Sequence, residues 1–247
     1  MDYLSKDEVA RFLLKAENRG RRDELVCRTL LFTGMRIGEC TPLTAGDVNA
    51  TQGTIRLNKV VTTPHALGTK ETHGSKKRPA YNVKREICFL LERKDGSGLS
   101  GEKVFMTPAK ASSFFGSGEV IHRGLKARHE ERFVIPDRAT LSMLGEWCED
   151  RREDDFLWDS QKGGRLCNEH VYRTVRKTML SADISPKKAH PHNLRHTFAV
   201  SFLKKTNDLA RLSRLLGHSD IKTTTIYLRF VVDDLREAID KAGDLFK

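Results

Sequence analysis

No apolar run in this chain of 247 residues approaches the roughly 20 residues that a membrane-spanning helix requires. The first stretch, MDYLSKDEVARFLLKAENRG, does not read as a secretory signal, because acids come early and the apolar residues are spaced rather than continuous. Cysteine is sparse. Cys27, Cys40, Cys88, Cys148 and Cys167 are odd in number, scattered, and never form C-x-x-C. That argues against a disulfide frame or a zinc ribbon, and for reduced thiols in a cytoplasmic setting. A solenoid-type repeat is lacking too. Acidic residues number 33 against 44 basic ones, a net charge of +11. Such a deficit points first to a polyanionic partner, nucleic acid above all. A basic surface that only confers solubility has the same arithmetic. An anionic membrane is the weaker match, because no amphipathic basic anchor stands out.

What is present suffices for one large domain or two small ones, with 38% hydrophobic and 31% charged residues. Ser5-Lys6-Asp7-Glu8 is a capping box, and Val9, Phe12, Leu13 and Ala16 behind it make a helical stripe. RGRR at 19–22 reads as a turn. A second helix carries Leu25, Val26, Thr29, Leu30 and Phe32 and stops at Gly34. GTIRLNKVV (53–61) alternates as one strand with a buried face. Residues 62–136 hold much of the glycine and basic charge and give no clear period. Helices are expected over 139–149, 168–184 and 208–217, the last capped by Gly217. Ser219 is expected to cap a further helix through DIKTTTIYLRF. The fold class expected is α+β, mostly helical, with one small sheet. Lys70–Phe105 and Lys126–Leu157 look alike in outline: basic turn, proline, apolar helix, then an apolar step.

Three clusters hold the reactive side chains. TGMRIGE places Arg36 just past Gly34. HPHNLRHTFAV (190–200) places His190, His192, Arg195 and His196 at the mouth of an apolar run. LLGHSDIKTTTIY places His218 nine residues before Tyr227. Each has a bland reading: Arg36 as a surface arginine, the histidines as capping or solvated groups, Tyr227 as a half-buried ring with a wet hydroxyl. The order and spacing of all three together is not bland.

These segments resemble the catalytic domain of the tyrosine recombinases, or phage integrases. TGMRIGECTPLTAGDV is similar to that family's first arginine box, HPHNLRHTFA to its H-x-x-R box, LLGHSDIKTTTIY to its His-to-Tyr box, and DDFLWDSQKGGRL to the segment before the second box. The likeness covers nearly the whole chain except parts of an insertion around residues 84–125. It implies that Arg36, His192, Arg195, His218 and Tyr227 are catalytic. The implied reaction attacks a DNA phosphodiester without metal or cofactor, and Tyr227 becomes a covalent 3′-phosphotyrosine. Arg36 and Arg195 would clamp the non-bridging oxygens, His218 would donate to the same phosphate, and His192 would accept the tyrosine proton. The family's general acid is a lysine on a β-hairpin. Lys70 is favoured because it follows the first strand at a normal distance. Lys126, with Arg132 and Pro136 behind it, is the alternative, and Lys76 and Lys77 come next.

The resemblance also implies a site-specific recombinase acting on double-stranded DNA, as a homotetramer on DNA, and allows a monomer when free. The expectation is a single catalytic domain over 1–247, without an N-terminal core-binding domain, ending in a tail helix (233–247) whose Leu235, Ile239 and Phe246 dock on a neighbouring protomer. Two readings compete from other classes. A zinc hydrolase would use His190, His192 and His196, but Arg195 within that motif is an unfavourable neighbour for Zn²⁺. A DNA-binding regulator built on the helices around 207–229 would leave the Arg/His/Tyr set unexplained. A type IB topoisomerase shares the chemistry, and the short chain with three boxes favours the recombinase.

Overall fold

Ser5 opens the first helix as the sequence suggests. Its side chain accepts from Glu8 N, and the Glu8 carboxylate accepts from Ser5 N at 2.8 Å, closing the capping box ahead of α1 (Lys6–Glu17). The computed structural model describes residues 2–62, 87–92, 99–106, 120–123, 131–160, 164–218 and 220–230. These fall into two compact units. The first takes its described residues from 1–36, 132–141 and 172–247, the second from 37–131 and 142–171. Lys70, Lys76, Lys77, Lys126, Ser219 and the tail 233–247 lie outside the described residues.

In the first unit α2 (Arg21–Thr33) packs against α1 and ends at Gly34, whose left-handed backbone (φ 63°) closes the helix. Arg21 and Arg22 belong to this helix, so the expected turn RGRR is shortened to its first two residues. The helix α6 (Pro191–Thr206) packs on α2, and α7 (Leu209–Leu216) packs on α6. Ala199, Val200, Leu203, Leu212 and Leu216 form a buried cluster around the Tyr227 ring, with Phe198, Phe202 and Phe230 at its margin. Gly217 (φ 62°) ends α7. The helix expected beyond it is a single turn, α8 (Lys222–Thr225), and Tyr227 follows in the next turn rather than inside a long helix.

The second unit holds α3 (Ile37–Cys40), a 3₁₀ turn (Ala45–Asp47) and strands β1 (Val48–Asn49) and β2 (Thr54–Leu57), which pair antiparallel. The single strand expected over 53–61 breaks at Asn58, and β3 (Lys59–Thr62) starts a different pairing. The reason is burial: Leu57, Asn58 and Lys59 are buried in succession, which strict alternation forbids. Lys59 Nζ is anchored by Asp47 Oδ2 and by Thr44 Oγ1 at 3.0 Å.

The stretch 84–125 holds β4 (Ile87–Glu92), β5 (Leu99–Met106) and β6 (Val120–Arg123). With β3 they form an antiparallel four-stranded sheet in the order β3-β6-β4-β5. The apolar helix expected after Lys70 is therefore strand β4; ICFLLE is rich in the β-branched, aromatic and leucine side chains that suit a paired strand. The matching helix after Lys126 does form, as α4 (Arg138–Cys148), preceded by β7 (Arg132–Val134). The likeness of the two segments thus ends at residue 87. On α4 Leu144 is buried, while Leu141 and Trp147 are half-buried, with Trp147 Nε1 donating to Leu157 O at 2.8 Å. Phe156, Leu157 and Trp158 fill the core, and α5 (Asn168–Ser181) follows. The fold class is as expected, α+β and mostly helical, with more sheet than the sequence suggests.

Candidate active site

The start of α6 is built to hold Arg195. His190 is its extended N-cap and Pro191 its first residue, a position where a missing N–H costs nothing. Asn193 Nδ2 donates to Lys188 O at 2.8 Å, Thr197 Oγ1 donates to Asn193 O at 2.6 Å, and Leu4 N donates to Thr197 Oγ1 at 2.9 Å. The turn is tied on both flanks. His190 Nδ1 pairs with the Tyr172 hydroxyl at 2.9 Å.

Arg195 is 3% exposed. Its Nη1 donates to Gly34 O at 2.7 Å and its Nη2 to Leu216 O at 2.8 Å. Those carbonyls lie at the C-terminal ends of α2 and α7, where helix carbonyls lack partners and the dipole is negative. The buried cation is held by two helix ends. Nη2 also lies 3.0 Å from His218 Nε2. Arginine can only donate, so Nε2 accepts. In a neutral ring the proton then sits on Nδ1, which is 2.7 Å from Thr224 Oγ1 and donates to it. Gly217, just before His218, lies under the Arg132 guanidinium, and Arg132 Nε donates to Leu215 O at 3.2 Å.

Arg36 follows the Gly34 cap. Thr33 Oγ1 donates to Thr29 O at 2.6 Å and accepts from Met35 N at 3.3 Å, which shapes the turn carrying it. Arg36 is half-buried, and its charge reaches two of the other site residues. The His192 pKa lies below its ordinary value because of crowding around the ring, with Arg195 and Arg36 adding repulsion, although solvent reaches the residue. Tyr227 is 2% exposed. Burial pushes its phenol pKa up, while Arg195 and Arg36 oppose that rise. Its hydroxyl lies 2.9 Å from His196 Nδ1. Burial, then the neighbouring His192 and Arg195, push the His196 pKa down to about 4. His192 and His196 meet edge to face, with ring centroids 5.5 Å apart.

The structure therefore gathers Arg36, His192, Arg195, His218 and Tyr227 within one compact unit. From the sequence His196 is expected to pack or hydrogen-bond behind His192 and Arg195, and the structure gives it a hydrogen bond, to the Tyr227 hydroxyl; its spacing of four from His192 puts both rings on one helix face. Thr224 carried no signal of its own, and Arg132 was read only as a companion of Lys126. Among the described residues no group of three His, Cys, Asp or Glu side chains is placed to hold a metal ion, and His190 and His196 are each paired with a tyrosine hydroxyl. No helix among the described residues is long and apolar enough to cross a membrane.

Residues 113–231 match the phage integrase family model. Over that span, just under half of the chain, the sequence is similar to the phage integrase family. The matched span takes in Lys126, His192, Arg195, His218 and Tyr227, and the Arg36 box lies ahead of it. Tyrosine recombinase XerC of Shewanella oneidensis is 33% identical over 124 residues, 49% of this chain and 40% of that protein. The crystal structure of XerA recombinase superposes with a TM-score of 0.61 at 22% identity, covering 98% of this chain and 65% of that one. XerH recombinase bound to palindromic difH substrate, a post-cleavage complex, superposes with a TM-score of 0.59 at 22% identity over 96% of this chain and 52% of that one. The chain spans less than two thirds of the length of these relatives.

Proposed function

We propose that this chain is a site-specific DNA recombinase that cuts and rejoins double-stranded DNA through a covalent 3′-phosphotyrosine at Tyr227, without a metal. The observation that carries this reading is the convergence of two guanidiniums, two histidines and the tyrosine hydroxyl in one unit, with both arginines acting on the electrostatics of Tyr227. Attack on a phosphodiester puts added negative charge on the non-bridging oxygens. Arg36 and Arg195 offer planar, permanently charged donors for them. Because Arg195 is gripped by helix ends, it is preorganised and needs little rearrangement as charge develops. His218 supports Arg195 through Nε2, and donates to the phosphate once its proton stands on that nitrogen. His192, neutral at the mouth of the site, is the base read from the sequence.

The acid that protonates the departing 5′ oxygen is a lysine, and two observations favour Lys126 over Lys70. The family match includes Lys126 and begins after Lys70. Lys126 is followed by Pro136 and by the helix expected behind it, α4, with β7 between. Two sites with two strands each need four nucleophiles, so the working form is a homotetramer on DNA, acting in the cytoplasm.

Covalent protein–DNA complexes trapped in cells and sequenced identify the site, and a duplex bearing it is then the substrate. Tyr227→Phe should bind this duplex as the unsubstituted protein does and form no denaturant-resistant adduct, while sizing of the undenatured complex should report four chains on paired sites. An adduct formed by the Phe variant would dismiss Tyr227 as the nucleophile.

A further inference from the structure

We propose that His196, rather than His192, takes the proton of the attacking tyrosine. The proposal rests on the reading of Tyr227 as the nucleophile. Nδ1 of His196 lies 2.9 Å from the Tyr227 hydroxyl, within the range a proton acceptor needs. His192 shows no such contact; it meets only the edge of the His196 ring and stands toward solvent. The helix explains the division. Residues 192, 195 and 196 leave α6 on adjoining faces, so Arg195 turns to the carbonyls of Gly34 and Leu216 while His196 turns to the tyrosine.

With its imidazole proton on Nε2, His196 accepts from the phenol. In the cleavage step the phenol O–H bond breaks and the proton passes to Nδ1. The Tyr227 oxygen forms the new bond to phosphorus as the bond from phosphorus to the 5′ oxygen breaks. That oxygen takes the proton of the acidic lysine. Rejoining returns both protons along the same routes. A neutral acceptor is present at neutral pH, because burial first, and then the neighbouring His192 and Arg195, hold His196 at about 4. A phosphate lying against Arg195 cancels part of that repulsion, so the ring becomes more basic when substrate is in place.

The test measures adduct formation in single turnover on the trapped-site duplex, with the full chain, from pH 6 to 9.5. His196→Ala should be slower by about 10²- to 10⁴-fold at pH 7, the usual contribution of a general base. Its rate should climb tenfold per pH unit as the tyrosine ionises unaided, where the unsubstituted protein is level. His196→Asn keeps an acceptor near the place of Nδ1 but cannot take a proton. It should fold, bind the duplex and stay slow with the same climb. Unchanged rates and profile in both variants would leave His196 a packing residue. Full rate in His196→Asn alone would make it a positioning residue and return the base to His192, as would a pH climb confined to His192→Ala. Should the alanine variant fail to fold, histidine nitrogen NMR on the otherwise native chain decides the contact: Tyr227→Phe should shift His196 Nδ1 and leave His190 unmoved. No adduct in Tyr227→Phe keeps the underlying reading intact whichever way these variants fall.

Discussion

Arg195 shows how a buried charge is kept available for chemistry. Its fork lies against the carbonyls of Gly34 and Leu216, which are dipoles and leave the net positive charge in place. Lysine carries the same charge but no fork, and cannot reach both helix ends and His218 from one nitrogen. Arg195→Lys should therefore lose about 2.7–4 kcal/mol of transition-state stabilisation, the scale of one oxyanion donor, seen as a 10²- to 10³-fold slower adduct rate. It should also melt earlier, since a stranded buried carbonyl costs about 1–3 kcal/mol. Near-native cleavage would make the arginine structural. His196 gives a second expectation, in stability. Its pKa falls from 6.5 to about 4 on folding. The unfolded chain then binds more protons between those values, so the contribution is complete above pH 6.5 and is lost as pH falls toward 4. In urea titrations from pH 6.5 down to 5, His196→Asn should lose less stability than the unsubstituted protein; equal slopes would contradict the depressed value.

The ends of the helices position this site more than their bodies do. Gly34 combines a left-handed backbone with crowding: a Cβ there would lie 2.5 Å from Phe198 Cδ1 and 3.2 Å from Leu216 Cδ2. Gly20 is also at positive φ, 92°, but a Cβ there would meet nothing within 4 Å. Gly34→Ala should cost the left-handed penalty of about 1–2 kcal/mol plus about 1–3 kcal/mol of overpacking, and should slow cleavage because Gly34 O moves away from Arg195. Gly20→Ala should lower the melting temperature without slowing cleavage. Equal kinetics in the two variants would separate the α2 cap from the function of Arg195. The strand elements teach a different lesson. The capping box at Ser5 and the Gly34 stop were legible because both are local. The break at Asn58 was not, since it depends on Lys59 finding Asp47 and Thr44 in an earlier turn.

At the scale of the whole molecule, the proposal of Lys126 as acid is tested through the leaving group. An acid matters only where the leaving group needs a proton. An alkoxide does; a thiolate does not, because a thiol's pKa is only about 8.5. On a duplex with sulfur in place of the bridging 5′ oxygen, Lys126→Ala should recover its cleavage, having cut ordinary DNA very poorly. Lys70→Ala should show one modest defect on both duplexes, as expected of a phosphate contact. The opposite pattern restores Lys70, and rescue of neither points to Lys76 or Lys77. Strands β4, β5 and β6 belong to the same question: they lie between the two lysines in sequence and join β3, which precedes both, in one sheet.

The sequence by itself determined the three boxes, their order, the helix caps and the excess of positive charge. Each depends on residue type and short spacing, and spacing survives without coordinates. Tertiary structure alone decided that Arg195 spans the ends of α2 and α7, which are far apart along the chain, and that His218 faces it with Nε2. It also decided that the Tyr227 hydroxyl rests on His196. One helix carries His192 and His196 a single turn apart, and periodicity ranks them equally. Only the packing of the Tyr227 ring among Ala199, Val200, Leu203, Leu212 and Leu216 brings the hydroxyl to one and not the other.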